Sequence, residues 1–123
     1  MPDLPRTYSR RPTPASRQGG SKALRDRTAA YKRLCASILH DHPLCVYCAS
    51  TGAVTPATLV DHILALSLGG GNERTNLTAS CTSCNADKAK AEARCAARGY
   101  GEQEARLDYD LAGWITRARP RTF

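Results

Sequence analysis

Two Cys-x-x-Cys pairs, Cys45/Cys48 and Cys81/Cys84, carry the most specific chemistry in this chain. Four thiolates presented in two such pairs can surround one ion as a tetrahedron, the geometry of structural zinc. Two disulfides, or scattered buried thiols, are the alternatives for four cysteines. Nothing marks the chain as secreted, so zinc is the reading preferred here. Between the pairs stand a carboxylate (Asp61), an imidazole (His62) and an amide (Asn76), and Asn85 follows the last cysteine directly. An imidazole with a pKa near ~6.5 is largely neutral at cellular pH and can take a proton from water. Asp61 offers a hard anionic oxygen to a divalent cation, and Asn85 offers its amide oxygen as a second ligand. A neutral oxygen donor at Asn85 favours Mg²⁺ or Mn²⁺ over Ni²⁺ or Zn²⁺. Asn76 reads as the residue that holds its surroundings so that His62 points at its water.

These side chains need elements to hold them. Leu24, Tyr31, Leu34, Cys35, Ile38 and Leu39 recur at near-helical spacing before Pro43, which predicts an amphipathic helix with Ser21 as its N-cap. Arg25, Arg27, Lys32 and Arg33 fall mostly off that stripe, as DNA contacts or as a solvated face. Residues 57–63 read as a strand, 64–75 as a glycine-rich loop and 76–80 as a second, short strand. Residues 85–98 are dominated by Ala, Lys, Glu and Arg and read as a helix ending at Gly99. A last helix over 102–115 would use Leu107, Leu111, Trp114 and Ile115 as its apolar face. Neighbours in a regular strand face opposite sides, so Asp61 and His62 share a site only if the strand ends or bulges there. Cys35 and Cys95 read as small buried apolar residues, and His40 and His42 as packing or surface residues.

In order, His42-Pro43-Leu44-Cys45-Val46-Tyr47-Cys48, Val60-Asp61-His62-Ile63, Gly69-Gly70-Gly71-Asn72, Asn76-Leu77 and Cys81-Thr82-Ser83-Cys84-Asn85-Ala86-Asp87-Lys88 resemble the zinc-containing branch of the HNH endonuclease family. The resemblance covers roughly residues 42–90. The family's last histidine is Asn85 here, a His-Asn-Asn version that the family also uses. The resemblance implies an α+β fold, a small ββα-metal (His-Me finger) core stapled by the four-cysteine zinc site, with flanking helices. It further implies a metal-dependent DNA endonuclease with His62, Asp61, Asn76 and Asn85 as its catalytic set. The divalent ion would contact a phosphate oxygen and the 3′ leaving oxygen, giving 5′-phosphate and 3′-hydroxyl ends. With Asn85 opening the final helix, Lys88 lies one turn on and would reach a backbone phosphate. Small stand-alone proteins of this kind resemble those encoded by bacteriophages beside DNA-packaging genes, which makes packaging proteins candidate partners.

Composition sets the frame. The chain has 123 residues and a formal charge of +7, enough for one small domain with a modest core, so zinc is expected to supply much of its folding free energy. The charge points to a polyanion, and nucleic acid is the commonest one. Residues 1–20 combine prolines with Arg6, Arg10, Arg11 and Arg17 and read as a flexible basic arm that tracks a phosphate backbone or is simply solvated. Residues 21–116 form the nuclease domain in this reading, and 117–123 a basic tail. No apolar run is long enough for a bilayer and no secretory signal is visible, so a cytoplasmic protein is expected, in the host cell if phage-encoded. A monomer or weak dimer with low sequence specificity is expected. The alternative to an enzyme is a non-catalytic, zinc-stabilised module that binds nucleic acid or a partner protein.

Overall fold

The computed structural model describes residues 26–118. Helix α1 (Ala29–Asp41) starts later than its apolar stripe suggests, because Thr28 caps it. The Thr28 hydroxyl accepts the Tyr31 N–H at 3.1 Å, which satisfies one of the donors a helix start leaves open. The predicted cap, Ser21, and Leu24 lie outside the described residues. The helix stops where Pro43 approaches, with the His42 N–H closing onto Ile38 O at 2.8 Å. Ile38 is its buried anchor, and the helix packs across both strands.

The first cysteine pair sits in a small knuckle closed by Cys45 N–H to Thr55 O and Ala57 N–H to Pro43 O. Inside it is a single turn of helix, α2 (Val46–Ala49), too short to announce itself by periodicity. Strands β1 (Leu59–His62) and β2 (Leu77–Ser80) form one antiparallel pair, with Leu59 opposite Ser80, Asp61 opposite Thr78 and His62 opposite Leu77. The register is regular through Asp61 and His62, and the strand ends at His62 without a bulge. The connection between the strands is held in two 3₁₀ turns, Leu66–Leu68 and Arg74–Asn76.

Helix α3 (Thr82–Ala97) follows β2 directly, completing a β-β-α order. It begins three residues before Asn85, correcting the expectation that Asn85 opens it. The reason is Cys81: its Sγ accepts the Cys84 N–H at 3.5 Å and serves as the N-cap, so the second knuckle is the first turn of the helix. The predicted last helix is two helices, α4 (Glu102–Leu107) and α5 (Tyr109–Ala118). Asp108 breaks them with an extended backbone (ψ 129°) while its carboxylate accepts the Leu111 N–H at 3.0 Å, capping α5. The break turns Leu107 out to solvent, 84% exposed, whereas Leu111 and Ile115 stay in the core. Arg117, read as the start of a tail, belongs to α5 and lies over the Trp114 ring at 4.2 Å. The core joins Cys45, Tyr47, Cys81 and Cys95 to Leu64, Leu68, Leu111 and Ile115, so the knuckles, α3 and α5 share one apolar centre. Cys95 is fully buried and Cys35 half-buried, while His40 and His42 are exposed. Among the described residues no helix is long and apolar enough to cross a membrane.

Candidate active site

The four knuckle sulfurs converge. Cys45, Cys48, Cys81 and Cys84 place their Sγ atoms within 4.8 Å of one another, with Cys48 Sγ 3.8 Å from Cys81 Sγ and 3.6 Å from Cys84 Sγ. Four sulfurs bound tetrahedrally at about 2.3 Å from zinc would stand roughly 3.8 Å apart, so the spacing fits that ion. Two of the cysteines are buried and two half-buried, and all are free thiols. Burial opposes charge on Cys45, but the Cys48 N–H and the neighbouring sulfurs outweigh it and bring that thiol down to about 7. Burial pushes the Cys84 thiol up, reinforced by hydrogen bonding to Cys48. Zinc is held by thiolates, so a cation at this site would favour the deprotonated form of its ligands.

The strand between the knuckles carries Asp61 and His62, and its pleat sends them to different surroundings. Asp61 is 7% exposed. Its Oδ2 accepts the Tyr47 hydroxyl at 2.6 Å and lies 3.2 Å from the Lys88 ammonium. Lys88 is fully buried and also donates to His62 O at 2.8 Å and to Glu92 one turn along α3. This corrects the expectation of an exposed lysine reaching a DNA phosphate: two carboxylates and a carbonyl draw the ammonium inward and occupy its donors. Burial raises the Tyr47 hydroxyl, and the Asp61 charge raises it further. Burial also raises the Glu92 carboxyl, against the pull of Lys88. Tyr47 stacks edge-on against Trp114 at 5.1 Å, which fixes its hydroxyl toward Asp61.

On the other side, His62 is half-buried and its ring edge meets two partners. Nε2 is 2.8 Å from Asn72 Oδ1 and 3.4 Å from the Tyr31 hydroxyl, and the Tyr31 ring stacks on it with an interplanar angle of 11°. Asn76 does not touch His62. Its amide clamps the loop instead: Oδ1 accepts Leu64 N–H at 2.9 Å, while Nδ2 donates to Leu64 O at 2.9 Å and to Gly71 O at 2.8 Å. A side chain at Gly70 would put its Cβ 1.8 Å from Leu64 O and 2.9 Å from Asn76 Nδ2, so glycine is what lets the clamp close. Asn85 is half-buried on the first full turn of α3, its own N–H bonded to Cys81 O at 3.0 Å. Among the described residues, no hydrogen bond or ion pair joins the His62 ring to Asp61 or Asn85. Arg6, Arg10, Arg11, Arg17 and Arg25 lie outside the described residues.

Asn72, Tyr31, Tyr47 and Glu92 are the site neighbours that sequence reading passed over. Glu92 was the most legible, four residues after Lys88 on a helix. Asn72 was visible only as the residue closing the glycine run, Tyr31 as part of the first helix's apolar stripe and Tyr47 as part of the first knuckle, none with a sign of what it would touch.

The family model described as HNH endonuclease matches residues 45–91, from the first knuckle cysteine into α3. The match takes in both knuckles, the strand pair and the clamped loop. Such a match points to a nuclease or nucleic-acid-binding role. Neither a curated protein nor a solved structure matches the chain.

Proposed function

We propose that this protein is a metal-dependent DNA endonuclease in which His62 is the general base for phosphodiester hydrolysis. The observation that carries the reading is the His62 imidazole itself. It stands at the open end of β1, half-exposed, with one ring nitrogen engaged by Asn72 and Tyr31, inside the segment that matches the family. A base must be oriented and accessible at once, and this ring is both. Structural Zn²⁺ on Cys45, Cys48, Cys81 and Cys84 would hold the two knuckles, and hence both ends of the strand pair, in place.

A divalent ion such as Mg²⁺ or Mn²⁺ would be held by Asp61 and Asn85. The donors suit it: Asp61 Oδ1 and the Asn85 amide make no hydrogen bond among the described residues, leaving one anionic and one neutral hard oxygen. When bound, such an ion supplies charge neutralisation at the phosphate and the leaving oxygen. The chain's own work is separate from that. His62 takes a proton from the attacking water, Asn76 keeps the loop from moving away from His62, and Lys88 holds the His62 carbonyl and so the end of β1. The net charge of +7 supplies non-specific attraction to the phosphate backbone, with Arg6, Arg10, Arg11, Arg17 and Arg25 as the proposed contacts and low sequence specificity as the consequence. A role in phage DNA processing or packaging extends this reading through the resemblance alone.

One observation favours a second reading, a non-catalytic nucleic-acid-binding module: the Asp61 carboxylate is already engaged by Tyr47 and Lys88. Plasmid nicking by the full-length protein with Mg²⁺ or Mn²⁺ separates the two. Conversion of supercoiled to open-circular DNA that is lost in His62→Ala is expected. Intact plasmid at saturating protein with both ions would leave the binding module.

A further inference from the structure

Beyond the clamp that Asn76 provides, the loop delivers a second amide directly onto the candidate base. Asn72 Oδ1 lies 2.8 Å from His62 Nε2. An amide oxygen only accepts, so Nε2 must be the nitrogen that carries hydrogen. A neutral imidazole has one N–H, and the bond made at one nitrogen decides the state of the other. We infer that Asn72 is a positioning residue that fixes His62 in the Nε2–H tautomer, leaving Nδ1 as the nitrogen with the lone pair. This rests on the proposed role of His62 as the base and says which atom of it accepts the proton.

Three further observations make the arrangement a built one. Among the described residues Nδ1 has no hydrogen-bond partner, so nothing there competes for its lone pair. The Tyr31 ring lies nearly parallel to the imidazole, 6.3 Å between centroids, with its hydroxyl 3.4 Å from the same Nε2. The residue before Asn72 is fixed through Gly71 O to Asn76 Nδ2, and Asn76 is fixed in turn to both backbone groups of Leu64. The amide that sets the tautomer therefore hangs from a loop whose backbone is tied at Leu64 and Gly71. Asn76 can reach His62 through Leu64 and Ile63 as well as through the loop that carries Asn72, so the two asparagines have separate tasks: Asn76 shapes the loop, and Asn72 meets the ring.

The test is nitrogen-15 correlation spectroscopy on the zinc-bound full chain with labelled histidine, at mildly alkaline pH where an imidazole is neutral. His62 resonances are identified by their loss in His62→Gln. The expected wild-type pattern has hydrogen on Nε2 and an unprotonated Nδ1, and a wild type with hydrogen on Nδ1 overturns the inference without any variant. Asn72→Leu should give a mixture of tautomers at unchanged zinc content, with plasmid cleavage falling roughly 10- to 100-fold, the usual cost of losing a group that orients a functional histidine. Asn72→Asp keeps an acceptor and should restore the single tautomer. A tautomer that does not change in Asn72→Leu would also overturn the assignment. Since the spectrum is read without cleavage, failure of the nuclease reading is seen separately, as a His62→Ala protein that cuts at the wild-type rate.

Discussion

Asp61 and His62 are neighbours in the chain and occupy two different kinds of environment. Asp61 faces inward, to Tyr47, Lys88 and, through Lys88, the half-buried Glu92. His62 faces a partly open edge where Tyr31 and Asn72 touch it and solvent reaches it. A pleated strand with no bulge does this to any adjacent pair. Neighbouring residues of one strand thus meet different surroundings: Asp61 is tied into the fold through its Oδ2, and the His62 ring stays open to solvent. The inward residue is tied to the apolar centre through Tyr47 and α3, and the outward residue is kept available. Variants on the inward side should therefore show up first as lost stability, and variants on the outward side as lost activity in a protein that still folds.

The largest effect tests the frame on which both faces depend. Cys81→Ser removes a zinc ligand and the N-cap sulfur of α3 together, and zinc binding in small domains is worth about 10 to 16 kcal/mol. No cooperative thermal transition and no zinc by elemental analysis are expected, and a folded, zinc-free variant would show that the apolar centre suffices.

Next comes the outward face. His62→Ala should cut plasmid nicking roughly 10² to 10⁴-fold, about 3 to 5 kcal/mol of barrier, with zinc content and thermal midpoint kept near wild type. A large fall in the midpoint would mean that His62 is also part of the fold, blurring the contrast.

The inward counterpart is Lys88→Met. It strips the ammonium from the buried Asp61 and the half-buried Glu92 carboxylates and should cost about 3 to 5 kcal/mol in urea unfolding, the range for breaking a buried ion pair from one side. The deficit should shrink on acidification. Burial already holds the Glu92 carboxyl above its ordinary value, so the folded state takes up that proton before the unfolded chain does, and lower pH favours folding at this site. A deficit that grows as the pH falls would contradict the buried pair.

A control remote from both faces should give the smallest change. Asp108→Ala removes the cap of α5 and should cost about 1 kcal/mol near neutral pH. The Leu111 N–H, and then Arg94, hold the Asp108 carboxyl below its usual range. Its stabilisation is thus complete above the ordinary carboxylate pKa and is lost as the pH falls through the lower folded value. The gap between variant and wild type should narrow over that acid interval, and nicking should not change.

Much of this architecture was legible from residue types. Two closely spaced cysteine pairs point to a metal cluster in a chain with no secretory signal, the run around Val60 reads as a strand because it is rich in Thr, Leu, Val and Ile, and the run around Leu77 leads from a glycine-rich loop into the second knuckle. The β-β-α order and the domain match agree with that reading. Boundaries were less legible. Thr28, Cys81 and Asp108 each cap a helix with a side chain, and a cap is visible only once the backbone it serves is in place.

The amino-acid order by itself determined which groups exist and how far apart they lie along the chain: four thiols in two pairs, a carboxylate beside an imidazole, two asparagines in and after a glycine-rich loop, and an excess of positive charge. Those are local facts, set by covalent spacing. Only the tertiary structure decided that Lys88 is a buried counter-ion and not a surface charge, because its environment is made by Asp61 from the strand and Glu92 from the helix. Only it decided that Asn72, and not Asn76, meets the His62 ring. Burial and hydrogen bonding depend on what arrives from elsewhere in the chain, and no spacing within a segment encodes that arrival.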